Sequence, residues 1–216
     1  MTSFSSANGS EIVGDLVQVI VDNRAYLSEV DGAIGDGDHG INMAKGFSIC
    51  GRSLEGQQRS LAEAFDVLSD ALMEGIGGSM GPLYGSLFMG MADEIRDLDE
   101  IDATAFGRML REGLVSLQDV SDANVGDKCL LDTLVPAVEA FESAVADGDS
   151  FQQALNRMTA AAEQGKESTR DMVAKIGRAS RLGERSRGVL DAGATSCYLL
   201  LRQLAQSVTR SLQTAT

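Results

Sequence analysis

The chain is poor in positive charge, histidine, proline and cysteine, and it has no long apolar run. Eighteen basic residues stand against 32 acidic ones over 216 positions, a formal charge of −14. A surface of that sign repels a phosphate backbone, so nucleic acid is excluded as a partner. Any anionic ligand must then be held by local cations or backbone N–H groups. No apolar stretch approaches the roughly 18 residues of a membrane-spanning helix. The opening M-T-S-F-S-S-A-N-G-S lacks the basic and apolar regions of a signal peptide. A cytoplasmic chain without membrane contact is expected. Cys50, Cys129 and Cys197 are too far apart for a zinc pattern or a disulfide framework, so buried thiols in a reducing compartment are expected. Prolines occur only at 82 and 136, and no apolar–polar alternation of four or more residues marks a strand. The expected class is all-α, as one domain over residues 1–216.

What is present concentrates in one stretch. Residues 31–43 read D-G-A-I-G-D-G-D-H-G-I-N-M, with three carboxylates (Asp31, Asp36, Asp38), the only histidine (His39) and an amide (Asn42) spaced by glycines. Steps of five and two do not share a helical face. Four glycines at about 1 kcal/mol each also oppose a helix, so the stretch is a loop. Three carboxylates folded together repel one another unless a cation neutralises them. A hard divalent ion on oxygen ligands meets that need, and Mg²⁺ is preferred over Ca²⁺ because the EF-hand pattern is absent. Magnesium on few carboxylates leaves coordination places for phosphates. The plain alternative is an Asx-rich turn with solvated charges.

The rest of the chain reads as about eight helices. Ser10 caps a helix with Ile12, Leu16, Val19, Ile20, Leu27 and Val30, which delivers Asp31 at its end. A second helix from Ile41 to about Cys50 sets Asn42 and the last loop N–H groups at an anion-accepting N-terminus. The stripe Leu61, Ala64, Phe65, Leu68, Leu72, Met73, Ile76 stops at G-I-G-G-S-M-G-P over 75–82, with Pro82 suited to the first position of the next helix. Such a loop cradles phosphate or simply makes a tight turn. Asp102 or Thr104 caps a helix through Leu117. Residues 126–128 open one through Val145, with Pro136 kinking it or near its first turn. Ser150 caps another, its pattern continuing through Met172, Val173 and Ile176. Arg178, Arg181, Arg185 and Arg187 then form either a phosphate-binding patch or a solvated loop with Glu184 pairing one of them. A final helix follows residues 191–196.

Four blocks, in order and covering nearly the whole chain, resemble the L subunit of dihydroxyacetone kinase, the DAK2 domain family. I-G-D-G-D-H-G-I-N-M looks like its metal and nucleotide loop. G-G-S-M-G-P-L-Y-G is similar to its second nucleotide loop, with Met80 where the family usually has serine. G-D-K-C-L-L-D resembles G-D-K-T-M-x-D, with Cys129 for threonine. The run from Gly177 to Ser196 is similar to G-R-A-S-x-L-G-E-R-S-x-G-x-x-D-P-G-A-T-S, with Ala192 for proline. The resemblance implies an antiparallel eight-helix barrel with ADP or ATP across one end. Asp31, Asp36 and Asp38 would hold magnesium, as a pair of ions. His39, Gly40, Ile41, Asn42, Ser79 and Met80 would meet the phosphates, and Gly126 and Leu130 the adenine. Arg178, Asp191, Ala192 and Gly193 would complete the pocket.

The implied activity is phosphoryl transfer to dihydroxyacetone, which in the family is bound covalently through a histidine of a separate K subunit. The one histidine here is already in the acidic loop, so this chain is expected to be the nucleotide half. It would use ATP, or ADP rephosphorylated in place by an M subunit of the phosphotransferase system. Rival expectations are a nucleotide-sensing subunit that engages a transcriptional regulator, and a kinase subunit for another ketose such as erythrulose. A homodimer is left open.

Overall fold

The amphipathic stretches fold as helices in the computed structural model, which describes residues 2–214. In chain order the helices are α1 (Gly9–Asp22), α2 (Arg24–Gly32), α3 (His39–Leu54), α4 (Leu61–Gly75), α5 (Met80–Ile95), α6 (Ala103–Gln118), α7 (Leu131–Ala146), α8 (Phe151–Ser168) and α9 (Ala192–Thr214). Two starts are fixed by capping boxes: Ser60 with Glu63 opens α4, and Ser150 with Gln153 opens α8. Asp102 caps α6 by accepting from the Ala105 N–H at 2.8 Å.

The helices close into a ring. Each of α3 to α8 packs on the next, α1 packs on α3, and α9 returns to α1; α2 is an extra short helix laid across α3. Connections as short as residues 76–79 and 147–150 leave room only for reversal. The all-α antiparallel eight-helix barrel expected from the sequence is the fold. Ser207 on α9 donates to Asp15 on α1 at 2.7 Å across the closing seam. Phe4, Phe106, Phe141 and Phe151 cluster in the interior with centroids 5.1 to 6.2 Å apart. The three cysteines are buried and unpaired. No helix among the described residues is long and apolar enough to cross a membrane.

Four local expectations are corrected. Ser10 is the second residue of α1 and not its cap, and its hydroxyl accepts from the Arg59 N–H at 3.0 Å. The first helix breaks at Asn23, whose backbone N–H and side-chain amide both donate to Val19 O, at 3.2 and 2.8 Å, and so close the last turn on itself. Residues 172–176 are not helical: Ser168 Oγ and Thr169 Oγ1 take the Gly165 and Lys166 carbonyls, a 3₁₀ turn follows at Thr169–Asp171, and Met172 is extended. Helix α5 begins at Met80, which puts Pro82 at its third residue, still within the turn that lacks N–H acceptors. Of the two places expected for Pro136, the structure has the one inside the helix, beyond the first turn of α7. Two strands, β1 (Ser3–Ser5) and β2 (Glu100–Asp102), pair antiparallel with Phe4 opposite Ile101. Three residues each are too few to show alternation.

Candidate functional site

In an antiparallel ring alternate helices present the same end. The first residues of α3, α5, α7 and α9 therefore converge: His39, Met80, Leu131 and Ala192 all line one cavity of about 880 Å³. Four helix N-termini direct their positive dipole ends at it, which favours an anion. The sequence marks two of these ends, those of α3 and α5; that four converge follows from the ring.

Against that field stand the carboxylates. Asp31, in the last turn of α2, and Asp36 and Asp38 in the following loop each place an oxygen within 4.8 Å of the others. The glycines permit it. A Cβ on Gly35 would lie 2.4 Å from Asp31 Oδ1, and one on Gly40 would lie 2.1 Å from Arg24 O of α2. The donor set is all oxygen and partly open to water, which fits a hard divalent cation. The guanidinium of Arg178 pairs with Asp36 and lies 3.8 Å from Asp38, so one exposed cation already offsets two of the three carboxylates.

His39 is buried at the start of α3. Its backbone N–H donates to Asp31 Oδ2 at 3.3 Å, and its Nε2 lies 2.9 Å from Ser196 Oγ on α9. Burial holds its pKa down to about 4, against the pull of Asp31, so the ring is neutral at pH 7. Apolar lining comes from Met80, Pro82, Leu83, Leu117, Val120, Leu130 and Ile176. Val120 and Ile176 are exposed at 52% and 38%, which leaves apolar surface for a ligand to cover.

Two buried residues shape the walls. The Asp132 carboxylate accepts from the Gly126 N–H at 2.6 Å and the Cys129 N–H at 2.7 Å, fixing the turn ahead of α7. Lys128 sits in that turn with φ 64° and is 2% exposed. Its ammonium donates to the carbonyls of Thr169, Met172, Ser186 and Val189 at 2.7 to 3.3 Å. The sequence marks residues 126–128 as a helix start, with Gly126 toward the base by resemblance, and gives Lys128 no role; the signal that points to it is a lone lysine between a loop glycine and an apolar helix.

Of the residues expected at the site, Asp31, Asp36, Asp38, His39, Asn42, Ser79, Met80, Leu130, Arg178, Asp191, Ala192 and Gly193 line the cavity. Gly40, Ile41 and Gly126 are not among the lining residues: Gly40 packs on α2, Ile41 is 48% exposed, and Gly126 is tied to Asp132. Helix α3 starts two residues earlier than expected, so the Asn42 N–H is taken by Asp38 O at 2.9 Å. Of the four arginines only Arg178 reaches the cavity; Arg187 pairs with Glu184 at 3.1 Å.

Asp191 caps α9, accepting from the Ala194 N–H at 2.7 Å. Burial pushes its carboxyl up from 3.8 to about 6, against the Ala194 N–H bond and Lys128, which pull the other way. A raised folded-state pKa means a contribution that is full below about pH 4 and lost as pH rises through 6. Asp191→Asn keeps a cap acceptor without the charge. The variant's stability relative to the parent is expected to be flat near pH 4 and to grow by roughly 2–3 kcal/mol by pH 7.5. Urea melts across that range check it, and a pH-independent difference would contradict a buried carboxyl.

The molecule is thus an all-α barrel domain with one polar end whose chemistry suits an anion carrying hard cations. The chain belongs to the DAK2 domain family, whose model matches residues 33–206. It is 34% identical over 90% of its length to the PEP-dependent dihydroxyacetone kinase 1 ADP-binding subunit DhaL of Listeria innocua, covering 93% of that protein. The corresponding Escherichia coli subunit is 34% identical over 83% of this chain and 86% of its own. A D-erythrulose kinase of Mycolicibacterium smegmatis is 33% identical over 92% of this chain, which spans 35% of that enzyme. The crystal structure of the C. freundii dihydroxyacetone kinase shares the fold, with TM-score 0.72 at 23% identity, over 96% of this chain and 36% of that one.

Proposed function

We propose that this chain is the nucleotide-binding subunit of a dihydroxyacetone kinase. It holds ADP or ATP with magnesium in the polar cavity and presents the terminal phosphate to a ketose carried by a separate K subunit. The observation that carries this reading is the meeting, in one cavity, of three carboxylates with oxygens inside 4.8 Å and four helix N-termini. Phosphoryl transfer needs positioning and charge neutralisation more than covalent help. Asp31, Asp36 and Asp38 would hold the magnesium, which when bound neutralises charge on the phosphate oxygens. The first-turn N–H groups of α3, α5 and α9 receive phosphate oxygens, and Arg178 offers them its guanidinium. Leu117 and Leu130 give the base an apolar wall.

Relatives named PEP-dependent and ADP-binding support the mode in which ADP stays bound and an M subunit rephosphorylates it. A second acceptor, erythrulose, is supported by the similarity to D-erythrulose kinase. The chain's single histidine lies in the cavity against Ser196, so covalent capture of either ketose falls to the partner. The test mixes this chain with a K subunit, magnesium, dihydroxyacetone or erythrulose, and either ATP or the phosphotransferase components. Sugar phosphate that forms only when this chain is present is the expected result. Tight Mg·ADP binding with no sugar phosphate from either ketose would overturn the transfer reading in favour of a nucleotide sensor.

A further inference from the structure

The only histidine stands where three walls of the cavity meet, and its ring is held from behind. His39 Nε2 lies 2.9 Å from Ser196 Oγ, which lies 2.7 Å from Tyr84 Oη; these two hydroxyls also reach Gly193 O at 3.1 and 3.2 Å. Tyr84 and Ser196 are fully buried and His39 is 7% exposed. The contacts join α3, α5 and α9, the helices whose N-termini face the cavity.

Counting protons fixes the ring. Gly193 O only accepts, and each hydroxyl has one hydrogen. With the hydrogen on Nε2, the ring donates to Ser196, and the two hydroxyls supply the Tyr84–Ser196 contact and one contact to Gly193. With the hydrogen on Nδ1, Ser196 must donate to Nε2, and only the Tyr84 hydrogen remains for the other contacts. The first arrangement makes three hydrogen bonds and the second two. In a buried cluster water does not make up the missing one.

We propose that Ser196 and Tyr84 are positioning residues that fix His39 as the Nε2–H tautomer, so that Nδ1 meets the ligand as a hydrogen-bond acceptor. Nδ1 has no partner among the described residues. An acceptor beside Asp31, Asp36 and Asp38 suits a water of a hydrated divalent cation, which can donate, and repels a bare phosphate oxygen, which cannot. His39 would therefore serve the cation's hydration shell rather than donate to phosphate. This ligand half rests on the proposed function; the tautomer half does not.

Because the chain has one histidine, ¹⁵N-histidine labelling gives a spectrum of this residue alone. Long-range ¹H–¹⁵N correlation of the ligand-free protein at pH 7.5 is expected to show the Nε2–H pattern. Ser196→Ala shifts it toward a tautomer mixture while far-ultraviolet circular dichroism stays helical; Ser196→Thr, which keeps the hydroxyl, retains the parent pattern. Mg·ADP affinity falls about tenfold in Ser196→Ala, the scale of one hydrogen bond, and changes little in Ser196→Thr. An Nδ1–H parent, or an unchanged Ser196→Ala spectrum, overturns the proposal. The expected spectra with no Mg·ADP binding by the parent would leave the positioning role standing and remove the proposed function.

Discussion

Alanine at Asp36 or Asp38 is expected to abolish magnesium-dependent ADP binding while leaving the barrel folded. Both residues lie in the loop between α2 and α3, outside the ring, and their side-chain partner is Arg178. Removing either takes away a direct oxygen donor and one of the three negative charges that oppose the cation's hydration. Losing even an outer partner of a metal ligand typically costs 10–100-fold in metal affinity, and these are direct oxygen donors, so the loss should exceed about a hundredfold. Stability should move by less than about 0.5 kcal/mol, because relief of repulsion offsets the loss of an exposed ion pair. Calorimetric titration with and without magnesium, beside a thermal melt, separates the two effects. Tight magnesium-dependent binding in the variants would remove Asp36 and Asp38 from the site.

Lys128→Met is the second large effect and has the opposite character. Its ammonium is the tie between the turn ahead of α7 and the irregular segment 169–190, and burial pushes its pKa down while four carbonyls solvate it. Methionine fills the space but takes the ammonium from the carbonyls of Met172, Ser186 and Val189, while Thr169 O keeps the Met172 N–H. A cost of roughly 3 kcal/mol or more is expected, since each buried group left unsatisfied costs about 1–3 kcal/mol. Hydrogen exchange should accelerate across 169–190, the segment that carries Arg178 and leads into Asp191, and Mg·ADP affinity should fall with it. Lys128→Arg should not restore the parent, because a planar fork cannot address carbonyls arranged around a compact ammonium. A variant that melts with the parent and exchanges at the parent's rate would show that the four contacts hold nothing in place.

The helical ring was legible because nearly every buried face in this chain is periodic and most turns announce themselves with a capping residue or a glycine. The acidic loop was legible because aspartates, histidine and glycines crowd one stretch. What failed to show were events decided by single side chains acting on backbone. Asn23 ends α1 in the middle of an unbroken apolar stripe, its side-chain amide joining its own N–H on the Val19 carbonyl. Ser168 and Thr169 close α8 in the same way while the apolar pattern runs on to Ile176. Lys128, Tyr84 and Ser196 do their work through contacts separated by 41 to 157 positions in the chain, and no local spacing encodes those. The convergence of four helix N-termini is likewise a property of ring closure, which one-dimensional periodicity does not contain.

The measurement that bears most directly on the account is a crystal structure grown with ADP and Mn²⁺ in place of Mg²⁺, with the anomalous signal of manganese locating the cation. Anomalous density within coordination distance of Asp31, Asp36 and Asp38, with the phosphates of ADP against the first turns of α3, α5 and α9, is the predicted result. Manganese elsewhere, or nucleotide bound away from the carboxylates, would contradict it.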